Sequence, residues 1–321
     1  MEQLLTDYYN ISHQRLTKVE QNTFIDNEQY VYSITFIEED ERIYDEQAML
    51  AAYCIQEGYV HVQNIIPNIY GSWITPYNDH PLLLSAGLLN PLSEQISDGR
   101  LLANFHLVNQ AYPYEPNYVT SYGKWKDLWV EKLTYYEKEL PKAIKNGPSA
   151  FLARAVDLIP YLIGISENAI SYLQENESES QFTRFDQGTI TFLRYQNQLR
   201  ASFIPFTDLH YDHPTRDIAE YVRSMLIKDN EGTQKSIEFL IDYNDVFPIS
   251  LFGWKLLYAR LLFPIQFFDI FDQVNIGQNN DLTKLNYIIE RQTNFEKNLK
   301  ELFGEVKRIF NLNPMYMVQW L

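Results

Sequence analysis

The sequence predicts an α+β protein of two lobes, a small β-rich one over residues 1–90 and a large, mainly helical one over residues 91–321. Three observations carry this. Residues 30–36 concentrate β-branched and aromatic side chains, which fit a pleated strand. Beyond Pro91, apolar residues recur at spacings of three and four almost to the end, the period of an amphipathic helix. The 321 residues are 45% hydrophobic and 15% aromatic, enough apolar material for a core divided between two lobes.

In the first lobe the strand at 30–36 is followed by a helix over 45–57, stopped by Gly58. Residues 60–67 and 71–75 suggest a hairpin, and Leu82, Leu83 and Leu84 a further strand before Gly87. In the second lobe, helices are expected over 93–112 and over 122–145, where Trp125, Trp129, Leu133 and Tyr136 fall on one face. Helical segments flank Pro160 within 149–174. A β-like island over 188–206 holds candidate strands at 189–192 and 202–204, and helices resume at Thr215. Residues 251–271 are long enough to span a bilayer, but they carry Lys255, Arg260 and Asp269 and contain Pro264, which makes them a core helix pair. A β-rich lobe followed by a helical lobe with a β-island inside it is a kinase-like layout.

The net charge of −16 disfavours nucleic acid and anionic membrane surfaces as partners. Lys138, Lys142 and Lys145 alternate with Glu137 and Glu139, the pattern of a solvated helix face, and Glu38, Glu39, Asp40 and Glu41 read as a solvated turn rather than as paired catalytic acids. Cys54 is the single cysteine, so it forms no internal disulfide, and its apolar neighbours predict a buried, inert thiol. The acidic start lacks a long apolar run, so synthesis and residence in the cytoplasm are the expectation. No Gly-x-Ser-x-Gly element supports a hydrolase.

Residues 207–223, running Thr207-Asp208-Leu209-His210-Tyr211-Asp212-His213-Pro214-Thr215-Arg216-Asp217 and onward to Arg223, resemble the bacterial spore-coat kinase-like proteins of the CotS and YutH type. These are similar in turn to aminoglycoside and choline phosphotransferases. Residues 122–129, 161–170 and 254–264 resemble the YutH branch in particular, so the resemblance covers most of the helical lobe. It implies a two-lobed protein-kinase-like fold.

The kit such a fold uses to transfer phosphate can be checked against the chain. Glycines let a loop approach the phosphates, a strand Lys holds them, acids hold magnesium, and an Asp orients the attacking hydroxyl. No glycine precedes Gly58, and no Lys lies between Lys18 and Lys124. Where the strand Lys belongs, the chain reads Val31-Tyr32-Ser33-Ile34, and Arg42, the nearest cation, sits in the acidic turn. The catalytic loop is expected over 188–195, which contains no acid; Asp186 precedes that place. Asp208 matches the metal-position Asp but stands closer than usual to the Pro-x-Arg-Asp element. Asp212, His213, Pro214, Arg216 and Asp217 form a structural motif, with Asp217 in the first turn of the next helix. Asp208, His210, Asp212, His213 and Asp217 suggest a metal site by residue type, but their spacing fits turn and cap roles better.

The expectation is therefore a pseudokinase with no catalytic or cofactor-binding residues, no cofactor, and Asp208 as a vestigial metal position. The resemblance implies synthesis in the mother-cell cytoplasm, deposition in the spore coat, and other coat proteins as partners, with no nucleotide binding and no membrane insertion. The alternative is an active small-molecule phosphotransferase of the aminoglycoside and choline kinase-like class.

Overall fold

The computed structural model describes all residues except 1, 13, 15, 28, 79, 91–94, 148, 178–181, 229–230, 276–281 and 319–321. The chain folds into two compact units, each discontinuous in sequence: residues 1–120 with 188–212, and residues 121–187 with 213–321. They are cut differently from the lobes read in the sequence, because 91–120 and the β-island group with the first 90 residues.

The first unit contains α1 (Glu2–Tyr9), β1 (Leu16–Glu20), β2 (Thr23–Asp26), β3 (Tyr30–Phe36), α2 (Glu41–Gln56), β4 (Asn64–Ile66), β5 (Ile74–Tyr77), β6 (His80–Leu88) and α3 (Asp98–Asn109). Its sheet is antiparallel in the order β1-β2-β3-β6-β4, with β5 also paired to β6. Strand alternation sorts the side chains. Ile34, Leu82 and Leu84 join Phe24 and the α1 residues Leu4, Leu5 and Tyr9 in one buried cluster, and Val31 and Leu83 are buried on the opposite face. The hairpin expected within 60–75 does not form. Residues 64–66 and 74–77 each pair with β6, and the loop between them closes on the Asn68 side chain instead.

Between the units' sequence breaks the chain continues as α4 (Trp125–Asn146) and α5 (Ala150–Glu177), which runs unbroken through Pro160. The excursion back to the first unit is β7 (Thr189–Phe192) and β8 (Leu209–Asp212), paired antiparallel from Thr189 with Asp212 to Phe192 with Leu209. The strand expected over 202–204 is reduced to an isolated bridge between Ile204 and Val62.

The second unit is completed by α6 (Thr215–Lys228), α7 (Gly232–Val246), α8 (Leu251–Leu262), α9 (Ile265–Asn275) and α10 (Leu282–Ile309). Residues 252–262 of α8 are all buried, and α5 and α6 pack against this helix. Pro264 separates α8 from α9, giving the helix pair expected there, and no helix among the described residues is long and apolar enough to cross a membrane.

Candidate functional site

In the first unit the residues around Asp208 are set by the β7–β8 hairpin. Pro205 opens a 3-10 turn over Phe206–Asp208, and the Leu193 N–H donates to the Asp208 carbonyl at 2.8 Å, closing the segment on itself. The Asp208 carboxylate accepts one hydrogen bond, from Gln198 Nε2 at 3.5 Å, and that amide also donates to the Arg194 carbonyl at 2.7 Å. Burial raises the Asp208 pKa above the ordinary carboxylate value, and the Gln198 bond offsets only part of this. Of the stretch 188–195 expected to carry a base, residues 189–192 form β7. From Thr189 to Thr207 the chain has no Asp or Glu.

Several polar side chains of the loop after β7 bond within the first unit. Tyr195 donates its hydroxyl to Asn197 Oδ1 at 3.2 Å, and Asn197 holds a left-handed backbone, φ 68°, which asparagine tolerates. Asp98, in the first turn of α3, accepts from Asn197 Nδ2 at 3.2 Å and from Arg200 Nε at 2.9 Å. On β3, the Ser33 carbonyl accepts from Ser85 Oγ and the Val31 carbonyl from Gln63 Nε2. Arg42 pairs with Asp40 and lies over the Tyr118 ring, 4.5 Å from its centroid.

Two residues of α2 were not singled out in the sequence. Gln47, on the helix's buried face, donates to the carbonyls of Thr207 at 2.8 Å and Leu209 at 3.3 Å, on either side of Asp208. Glu46 accepts the backbone N–H groups of Asn117, Tyr118 and Val119 at 2.7–2.9 Å. The Glu46 carboxylate thus anchors a main-chain turn. The sequence of this unit has 18 acidic and 6 basic residues, a formal charge of −12 out of the total −16.

In the second unit, Asp186 is the centre of a buried network. Thr183 N–H (2.6 Å) and Thr183 Oγ1 (2.9 Å) donate to Oδ2. His213 Nε2 (3.3 Å) and Ser250 Oγ donate to Oδ1. Both of these donors are helix caps. His213 Nδ1 accepts the Thr215 N–H at the start of α6, at 3.1 Å, which places the ring proton on Nε2. Ser250 Oγ accepts the Gly253 N–H at the start of α8, at 2.8 Å. One carboxylate thus serves the N-termini of two helices, where the backbone dipoles favour negative charge. Burial works against its ionisation, but the His213 and Ser250 hydrogen bonds and the Thr183 N–H outweigh burial and hold its pKa below the ordinary carboxylate value.

Of the motif residues, Asp212 ends β8 with no exposed surface, while His213, Pro214, Arg216 and Asp217 lie at the start of α6. Asp217 is fully buried in the first helical turn, as expected. Among the described residues no three His, Cys, Asp or Glu side chains are grouped so as to hold a metal ion. Cys54 is buried, and burial pushes its thiol pKa up.

A model of the family described as "Spore coat putative kinase YutH" matches residues 2–302. The endospore coat-associated protein YutH of Bacillus subtilis is 33% identical over 193 residues, 58% of this chain and 56% of the relative, so the match spans little more than half of that protein's length. Among solved structures, an aminoglycoside phosphotransferase from Alicyclobacillus acidocaldarius superposes with a TM-score of 0.59 at 13% identity, covering 92% of this chain and 93% of its own. A microcompartment-associated aminopropanol kinase gives the same TM-score and identity, covering 94% and 97%. At this identity the likeness shows the fold, which is the kinase-like one expected from the order of elements. The family match, extending over nearly the full length, places this chain in the YutH family of spore coat putative kinases.

Proposed function

We propose that this chain is a non-catalytic, kinase-like structural or assembly protein of the bacterial spore coat, made in the mother-cell cytoplasm and deposited in the coat beside other coat proteins. The coat assignment rests on the family description and on the name of the B. subtilis relative. The pseudokinase reading rests chiefly on one observation: no carboxylate lies between Asp186 and Asp208, and Asp186 is bonded into helix caps. A hydroxyl acceptor then has no base to orient it. The β3 residues Val31, Tyr32, Ser33 and Ile34 offer no cation to the phosphates. A magnesium-nucleotide bound beside Asp208 would therefore lack both the strand cation and a carboxylate base.

The test is thermal unfolding with and without millimolar Mg-ATP and Mg-GTP. A ligand bound only by the folded state at a hundredfold excess over Kd stabilises by about 2.7 kcal/mol. No shift with either nucleotide is expected. A magnesium-dependent shift that Asp208→Ala abolishes would reverse the reading in favour of an active small-molecule phosphotransferase.

A further inference from the structure

The loop between β4 and β5 displays three large apolar side chains to solvent: Ile69 is 54% exposed, Tyr70 78% and Trp73 49%. Large apolar groups exposed together on one short loop mark an interaction site more often than isolated ones do. This loop is held in place from within. Asn68 is buried, and its Oδ1 accepts the N–H groups of Tyr70 at 3.0 Å and Ser72 at 3.1 Å. Its Nδ2 donates to Thr75 Oγ1 at 3.0 Å. The Asn68 N–H donates to the Ser72 carbonyl at 2.8 Å, and Gly71 turns the chain at φ 79°, a conformation that favours glycine. The Ile69 N–H donates to the Tyr8 carbonyl at the end of α1, and the Tyr8 ring meets Tyr70 edge-on at 6.5 Å. Displaying the aromatics is therefore a fixed property of the loop, and a partner would find them already ordered.

The charges around the loop indicate what it takes. From Gly58 to Asn78 the sequence contains no Asp, Glu, Lys or Arg, although 21% of the whole chain is charged. α1, on which the loop rests, contributes Glu2 and Asp7 and no basic residue, and the unit as a whole carries −12. Neutral aromatic faces within an acidic field attract cations twice, through the field at long range and through the ring quadrupole at contact. A surface tyrosine of this same unit already holds a guanidinium in this way, Arg42 over Tyr118. A second copy of the chain would bring a second −12 unit to the interface and is disfavoured.

We infer that the 67–73 loop is a docking site for a basic polypeptide segment, one that sets Lys or Arg side chains on Tyr70 and Trp73 with apolar residues between them. The inference concerns a different surface from the Asp208 region and holds whether or not nucleotide binds. It is tested on the full-length chain by fluorescence anisotropy. The probes are a labelled peptide alternating Lys and Arg with Leu, and its analogue with Glu in place of the basic residues. The expected result is binding of the basic peptide only, weakened by salt and weakened about tenfold or more by Tyr70→Ala with Trp73→Ala. The Asn68 frame bonds main chain and Thr75, so these changes leave it intact, as circular dichroism checks. The control Tyr135→Ala, an exposed position on α4, should leave affinity unchanged. Equal binding by the double variant would mean that the peptide responds to net charge alone, and this overturns the inference, as does no binding of the basic peptide. A concentration-dependent dimer in sedimentation that the double variant abolishes would give the patch to a second copy and overturn it as well.

Discussion

Replacing Asp186 by alanine separates a structural role from a chemical one. The substitution removes four hydrogen bonds at once, but their costs differ. Thr183 is exposed, so water takes over its two bonds. Ser250 is half-buried, and His213 is 98% buried with its Nδ1 already occupied by Thr215. Losing a buried acceptor of this kind costs about 1–3 kcal/mol, since the neutral, desolvated His213 donor is left unmatched. That is an appreciable part of the 5–15 kcal/mol of a typical domain, so the urea midpoint should fall at unchanged m-value. Asp186→Asn keeps one acceptor oxygen and should lose less. The sign with pH follows from the lowered pKa. The stabilisation is present above the ordinary carboxylate value of about 3.9 and is lost as pH falls through the folded value, so wild type and Asp186→Asn should converge on acidification. Ser250→Ala and Asp186→Ala should be non-additive in a double-mutant cycle. A loss below about 1 kcal/mol for Asp186→Ala, with additive behaviour, would refute the argument that this carboxylate is held for capping.

Asp208→Asn should move stability the other way. Burial raises the Asp208 pKa, so the cost to the folded state grows as pH rises above the unfolded value of about 3.9 and is complete above the folded value; the variant should melt higher than wild type at pH 7 and equal to it below pH about 4. Glu46→Ala should cost about 1–2 kcal/mol, and in hydrogen exchange the amides of Asn117, Tyr118 and Val119 should lose protection ahead of the surrounding sheet.

The parts of the fold legible in the sequence are those with a strong local period. β3, α4 and the α8–α9 pair follow their predicted bounds closely because each buries a recurrent apolar face or is cut by a proline. α1 was missed because it is a helix of eight residues with only Leu4, Leu5 and Tyr9 buried, and β1 because its residues are almost all exposed and do not alternate. The pairing of β4 and β5 was misread for a different reason. Both are short, and β6, with nine residues, offers each of them a longer partner than they offer each other. At the site, the lack of an Asp or Glu from Thr189 to Thr207 and of a Lys from Val19 to Gly123 is plain in residue type. The role of Asp186 is not, since its partners His213 and Ser250 lie 27 and 64 residues along the chain. Gln47 and Glu46 escaped notice for the same reason: their partners are carbonyls and N–H groups, which leave no mark on composition.

The Asp186–His213 bond has a topological side. These two residues stand just outside the excursion of residues 188–212, and just inside it Thr189 is paired with Asp212. The chain therefore leaves and re-enters the helical unit through a double-stranded neck fastened on both sides, and the entropy of closing that loop falls on the neck rather than on the residues beyond it. Within the insert, the buried residues and the bonds from Gln47 and Asp98 tie the sequence to the first unit, while the helices that anchor the neck draw their caps from outside it. A fold wired this way keeps the capping of α6 and α8 independent of which residue stands at position 208.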